Sequence, residues 1–288
     1  MKLKLKKEPS AKECLEFIEN TLLIVSSLFI AIGVIFFIAY NWDGMGRLWK
    51  IALIEAFLVL SFGVYYFSSN PKLSKLFLYI SAILIGALLA LIGQIYQMGA
   101  NRYELFLYWA LLILPWAIIN NTKTLWLIEI ILLNISLGLY YLFNPLGVFI
   151  ALENKFIPFF LFNLFAFIIW EVSKELFKWR GDGWERIVLA SFVTISLILS
   201  LISSSLSYFI LFLPYFIVAR LYYYHKKDIP ILTLLAISFW LYILIAIFKA
   251  INWRYFWFGG LIILIITSIL VGGYLIKELQ KLIGEDDV

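Results

Sequence analysis

Glu55 stands alone in an apolar run, between Ile51-Ala52-Leu53-Ile54 and Ala56-Phe57-Leu58-Val59-Leu60. It lies seven residues into that run, about 10 Å from its outer end in a helix. A carboxyl group at such a depth is costly unless it is paired, solvated or protonated, and an intramembrane ionisable group is a functional candidate by default. Further polar groups cluster near it in the sequence pattern. One run closes in Asn41-Trp42-Asp43-Gly44-Met45-Gly46-Arg47, the third ends in Gly93-Gln94-Ile95-Tyr96-Gln97, and the fourth opens with Arg102-Tyr103-Glu104 and reaches Trp109 one turn inside. Asn41, Gln94 and Gln97 can donate and accept hydrogen bonds. Asp43 and Glu55 can carry charge or exchange a proton, and Trp109 can form a wall. Such a set can hold a small solute or part of a lipid. With Asp43 or Glu55 as acid or base, it could also act on a lipid-linked substrate.

Each of these residues has a plainer use. Glu55 can pair with Arg47 or Lys50. Gln94 and Gln97 can hydrogen-bond across helices. Gly86, Ala90, Gly93 and Gln97 follow at spacings of 4, 3 and 4, which places them on one helix face. Small residues there let another helix approach closely in lipid. Glu129 lies five residues into the fifth run, near enough to the inner surface to reach water, and is followed by Asn134, Ser136 and, in the sixth run, Asn163. Pro115 and Pro214 interrupt the fourth and eighth runs, where each removes a backbone bond. His225 stands beside Lys226, Lys227 and Asp228, which reads as a basic loop at lipid headgroups, and Arg180-Gly181-Asp182-Gly183 reads as a turn. One cysteine, Cys14, and one histidine provide neither a disulfide nor a His/Cys metal cluster, so no metal or cofactor is expected. There is no P-loop, G-x-S-x-G or H-E-x-x-H motif, and no G-x-G-x-x-G at a strand–helix junction.

The elements that carry these residues follow from composition. Residues of the AVILMFWYC set make up 64% of 288, charged residues only 14%, and the mean hydropathy is +0.98. A soluble domain is about half apolar and a quarter charged, so soluble enzymes, disordered chains and nucleic-acid-binding domains are excluded. Ten apolar runs fall at 21–40, 48–68, 76–96, 105–120, 124–143, 156–173, 185–203, 207–224, 230–248 and 255–276. Each is near the roughly 20 residues that cross a bilayer as a helix. The expected fold is all-α, a polytopic transmembrane helix bundle of about ten spans. A lead-in helix over 1–20 begins at the S-x-x-E capping box of Ser10-Ala11-Lys12-Glu13. Spans 1–5 fill 21–145, spans 6–10 fill 146–277, and 278–288 forms a tail. The basic start resembles that of a signal peptide, but the apolar run after Thr21 is too long for one and reads as a retained span. Two sets of five spans are also compatible with inverted repeats.

With ten spans, Arg47, Lys50, Arg102, Lys155, Lys249 and Arg254 fall on one side, and the other 17 of the 23 Lys and Arg on the opposite side. Basic residues are retained on the cytoplasmic side, so both termini are expected there, with the protein in the cell inner membrane. Trp42, Trp49, Trp109, Trp126, Trp170, Trp179, Trp184, Trp253 and Trp257 lie at or near expected helix ends, as an aromatic belt requires.

Three stretches resemble a known group: Ile32-Gly33-Val34-Ile35 through Ala39-Tyr40-Asn41-Trp42-Asp43; Leu91-Ile92-Gly93-Gln94-Ile95-Tyr96-Gln97; and Leu105-Phe106-Leu107-Tyr108-Trp109-Ala110-Leu111-Leu112 to Leu114-Pro115. Over roughly residues 10–145 the chain resembles the bacterial integral-membrane family catalogued as domain of unknown function 2157. That family closes its first span with N-W and its third with G-Q-x-Y-Q, and carries W-A-L-L…P in its fourth. Where it usually has Asp, this chain has Asn101. The resemblance implies a membrane architecture and draws attention to the polar ends of the first four spans, without implying a reaction.

The leading expectation is a non-enzymatic membrane protein that binds or translocates a small solute or lipid moiety. Its site, between spans 1–4 and open to the outer face, comprises Asn41, Asp43, Glu55, Gln94, Gln97 and Trp109. The alternatives are a structural subunit whose polar face receives a membrane-protein partner or a second copy, and an envelope enzyme. The lipid bilayer is an expected partner and nucleic acid is not. The charge distribution makes a direct prediction: reporters active only in the cytoplasm will be active when fused after Lys123 and after Val288, and silent after Gly46 and Asn101. Activity at Gly46 would overturn the orientation.

Overall fold

The structure is a computed structural model, and it describes residues 11–97, 99, 101–143, 156–176, 184–203, 217, 229–250, 262, 265–270, 272–274 and 277. Every element among them is a helix: α1 Ala11–Tyr40, α2 Arg47–Phe67, α3 Pro71–Ile95, α4 Arg102–Asn120, α5 Lys123–Phe143, α6 Ile157–Leu176, α7 Glu185–Ser203 and α8 Ile229–Ala250. Five of them, in α1 to α5, are long and apolar enough to cross a membrane, and shorter apolar segments run over Ile157–Ser173 and Ile231–Ile245. The expected span at 207–224, and with it Pro214 and His225, lies outside the described residues apart from position 217, as does Arg180-Gly181-Asp182-Gly183.

The chain divides into two compact units, one of Lys6–Asn144 and one built mainly from Pro145–Val288. In the first, α3 is the central element. It starts where Asn70 caps the first turn, its side-chain oxygen accepting from the amides of Lys72 and Leu73, with Pro71 at the first helical position. This cap places the start of α3 five residues before the apolar run at 76 begins. On one side of α3, Ile80, Leu84 and Leu91 pack with Ala31, Val34 and Ile38 of α1 and Ile54 of α2. On another side, Leu78, Tyr79 and Ala82 pack with Ala110, Ile113 and Ala117 of α4 and Leu125 and Leu132 of α5. Ser61 of α2 and Ser81 of α3 share a buried 2.8 Å hydrogen bond. Each hydroxyl also meets a carbonyl of its own helix, so the pair leaves no buried group unsatisfied.

At Gly86 the small-residue face of α3 is filled from within the chain. Trp109 lies flat against Gly86, and its indole N–H donates to the Ala82 carbonyl at 2.7 Å. A Cβ at position 86 would collide with the six-membered ring of Trp109. Glycine there lets α3 and α4 approach with a tryptophan between them. Pro115 stays inside α4, which continues to Asn120.

In the second unit, α7 packs on α6 and on α8. Thr194 and Ser238 join α7 to α8 by a buried 3.0 Å hydrogen bond. Arg186 and Glu171 form a buried ion pair at 2.7 Å. That pair gives both charges the compensation that burial demands.

Gly86→Ala is expected to lower stability by about 1–3 kcal/mol, the usual cost of overpacking. Thermal denaturation in detergent measures it. The cost should vanish in a Trp109→Ala background, because the collision is then gone. An additive double variant would refute the joint.

Candidate functional site

The packing of α1 to α4 gives the first unit two ends. α2 and α3 are antiparallel, since Ser61 pairs with Ser81 and the Ser74 hydroxyl donates to the Tyr65 carbonyl. α2 runs parallel to α4, with Phe62 against Trp116 at 4.3 Å between ring centroids and the Tyr65 hydroxyl donating to Asn120 at 2.6 Å. Glu19 of α1 reaches Lys72 at the start of α3. One end therefore holds the starts of α1, α3 and α5 and the finishes of α2 and α4. The other holds the finishes of α1 and α3 and the starts of α2 and α4.

At the first of these ends, several polar side chains bond to neighbouring elements. Besides the pairs above, Asn120 donates to the Trp116 carbonyl and the Trp126 indole donates to Asn121. Asn121 has a left-handed φ of 45°, a conformation asparagine tolerates at a helix C-terminus.

The opposite end is different. Asp43, Gln94 and Gln97 are exposed, and among the described residues their side chains make no hydrogen bond or ion pair. Asn41 donates only to the Phe37 carbonyl of its own helix, at 2.8 Å. Asn101 and Glu104 bond locally to each other at 2.6 Å. Gln97 follows the C-cap Tyr96 of α3 and also has φ 45°. Glycine adopts that conformation without the cost a side chain brings. Asn121 uses its side chain within the fold and Gln97 does not.

Four of the six expected site residues, Asn41, Asp43, Gln94 and Gln97, thus share one end. The other two sit deeper. Glu55 is about 12 Å along α2 from its start and is exposed. Trp109 is about 10 Å along α4 and is held in the α3–α4 joint. No Glu55 pairing with Arg47 or Lys50 is present among the described residues.

Two residues differ from their sequence reading. Glu129 was expected to reach water, yet it is only 3% exposed. It lies on the α5 face shared by Leu125 and Leu132, which pack against α4, and its Oε1 has no hydrogen-bond partner. Lys50 reads in the sequence as an orientation charge and as a candidate partner of Glu55. It is 6% exposed, with its ammonium 3.6 Å from the centre of the Trp42 ring. Its position on the α2 face of Ile54 and Ser61, both buried, is the signal that could have found it.

These features define a helical membrane protein with one end of its first unit open for contact. Residues 3–126 match the family model described as Predicted membrane protein (DUF2157). The matched stretch contains α1 to α4 and all six candidate site residues. No curated protein and no solved structure matches the chain.

The two left-handed residues should respond in opposite ways. Gln97→Gly is expected to stabilise the fold by about 0.5–1 kcal/mol through relief of the left-handed strain. Asn121→Ala is expected to cost about 1–2 kcal/mol, because it adds strain and removes the Trp126 partner. Paired thermal melts check both signs.

Proposed function

We propose that this protein binds, or binds and translocates, a small solute or the polar part of a lipid at the end of α1–α4 formed by Asn41, Asp43, Gln94 and Gln97. Glu55 lies deeper along α2 on an exposed face, and Trp109 holds α3 and α4 in place beneath the polar end. On this reading the chain is a multi-pass protein of the cell inner membrane with about ten spans. Its halves meet near residue 145, both termini are cytoplasmic, and the open end faces outward. The observation that carries the proposal is Gln97. It occupies a backbone conformation that favours glycine, and its side chain is exposed and makes no hydrogen bond or ion pair among the described residues. Local strain retained without a structural use points to function.

A second reading has its own support. Glu55 is exposed on an α2 face with Ala52, Ala56 and Val59. A carboxyl group facing lipid there is costly, and a helix of a membrane-protein partner or a second copy would cover it.

Native mass spectrometry of protein extracted gently from its own membrane tests both. A discrete bound small molecule, lost in Gln94→Ala/Gln97→Ala while the unfolding free energy stays within about 0.5 kcal/mol of wild type, is the expected result. An empty protein, or a ligand unaffected by that variant, would overturn the site. A stoichiometric protein partner lost on Glu55→Ala or Ala56→Leu would favour the second reading.

A further inference from the structure

α1 and α2 both pack against α3, but they leave an open groove between themselves. Ile30, Gly33, Val34 and Phe37 line it from α1, Leu53 and Phe57 from α2, and its volume is about 480 Å³. The lining is entirely apolar. Beside Gly33 there is open space. On α2, Leu53 and Phe57 are each about 160° around the helix from Glu55, so the groove and that carboxylate face different ways.

The groove face of α2 ends in charge. Lys50 precedes Leu53 by one turn and Phe57 by two, on the same side of the helix. It is buried, and among the described residues its ammonium faces the Trp42 ring without a carboxylate partner. A ring quadrupole offsets only part of the cost of burying a cation. The start of α2 strengthens the positive field. Its N-cap is Gly46, which offers no side chain, and no acidic residue lies in its first turn. The amides of residues 47, 48 and 49 therefore have no partner within the helix. Arg47 is exposed beside them and makes no ion pair among the described residues. Asp43 is the one acid in the α1–α2 turn, so residues 41–50 carry a net charge of +1 from Arg47, Lys50 and Asp43.

We propose that this groove is a binding site for an anionic phospholipid, with one acyl chain lying between α1 and α2 and the phosphodiester held at the α2 start by Lys50, Arg47 and the free amides. Charge complementarity selects the occupant. A single phosphodiester charge of −1 balances the +1 turn, and an anionic headgroup leaves no added cation to oppose Arg47. The apolar continuation selects a lipid over a free anion, because α1 and α2 are both long enough to span the hydrocarbon layer. Trp42 and Trp49 beside the site are the residues that sit at headgroup level. The site uses Lys50, Arg47 and Gly33, and it stands whether or not Gln94 and Gln97 bind a ligand.

The test is titration of the full-length protein in dodecyl maltoside with phosphatidylglycerol or phosphatidylcholine of identical chains, followed by native mass spectrometry. Wild type should take one phosphatidylglycerol at least about tenfold tighter than phosphatidylcholine. Lys50→Gln should remove that preference and Lys50→Arg should keep it. Gly33→Leu leaves the charges intact and fills the groove, so it should weaken both lipids. Gln94→Ala/Gln97→Ala should bind phosphatidylglycerol as wild type does, which separates this site from the proposed solute site. Equal binding of the two lipids by wild type would overturn the proposal. So would undiminished phosphatidylglycerol binding by Gly33→Leu, a readout that stands even where Lys50→Gln fails to fold. Displacement of the lipid by inorganic phosphate alone would show a bare anion site and overturn the acyl-chain assignment.

Discussion

The first unit depends on one close approach: Trp109 lies against the bare backbone at Gly86. In lipid, apolar helices gain little by leaving their surroundings, so shape and hydrogen bonding decide which faces meet. The indole supplies both. Its ring covers the surface left by the missing side chain, and its N–H meets the Ala82 carbonyl one turn away. Once α4 is fixed on that face, α3 still has Ile80, Leu84 and Leu91 free for α1 and α2. The same α4 position brings Asn120 to Tyr65 and Tyr103 to Ser136 of α5.

The two ends of the unit then differ for a physical reason. At one end, helices are tied by side-chain hydrogen bonds between elements. At the other, the approach is set deeper by Trp109 and by apolar contacts of α1 with α3, so the terminal polar side chains are not needed to hold the fold. The side chains of Asp43, Gln94 and Gln97 should therefore add little to stability, apart from the backbone strain at Gln97. An end built this way can change its surface without loosening the packing beneath it.

Much of the architecture was legible in the sequence. The apolar runs at 48–68, 105–120 and 124–143 lie within a few residues of α2, α4 and α5, because length and hydropathy dominate in spans that lipid surrounds. The match at residues 3–126 agrees with the motifs around Asn41, Gln94 and Trp109. The start of α3 was misplaced, since the apolar pattern begins only after a polar first turn capped by Asn70. Periodicity showed the small face of Gly86 but could not say that the chain's own Trp109 fills it. For Lys50, position relative to a span end suggested solvent, but the long side chain lies back over Trp42. Glu129 was misjudged for a related reason. Distance from a helix end says nothing about a neighbouring helix, and α4 covers the face that carries it.

Glu129 and Lys50 show that burial in this protein does not follow depth along a helix. Lys50 is at the first turn of α2 and is buried, whereas Glu55, more than a turn deeper, is exposed. Helix face decides. α2 turns one face to α3 and the α1–α2 groove, and Lys50, Leu53, Ile54, Phe57 and Ser61 follow it. Glu55 lies off that face. A bilayer hydrates the ends of helices but not their centres, so the buried end ammonium and the exposed central carboxyl group have opposite requirements. Lys50 needs an anion that can enter from the headgroup layer. Glu55 needs a partner that can reach it through hydrocarbon. One helix therefore presents two incomplete electrostatic sites to different surroundings, and the lipid reading of the groove and the partner reading of the Glu55 face can hold together.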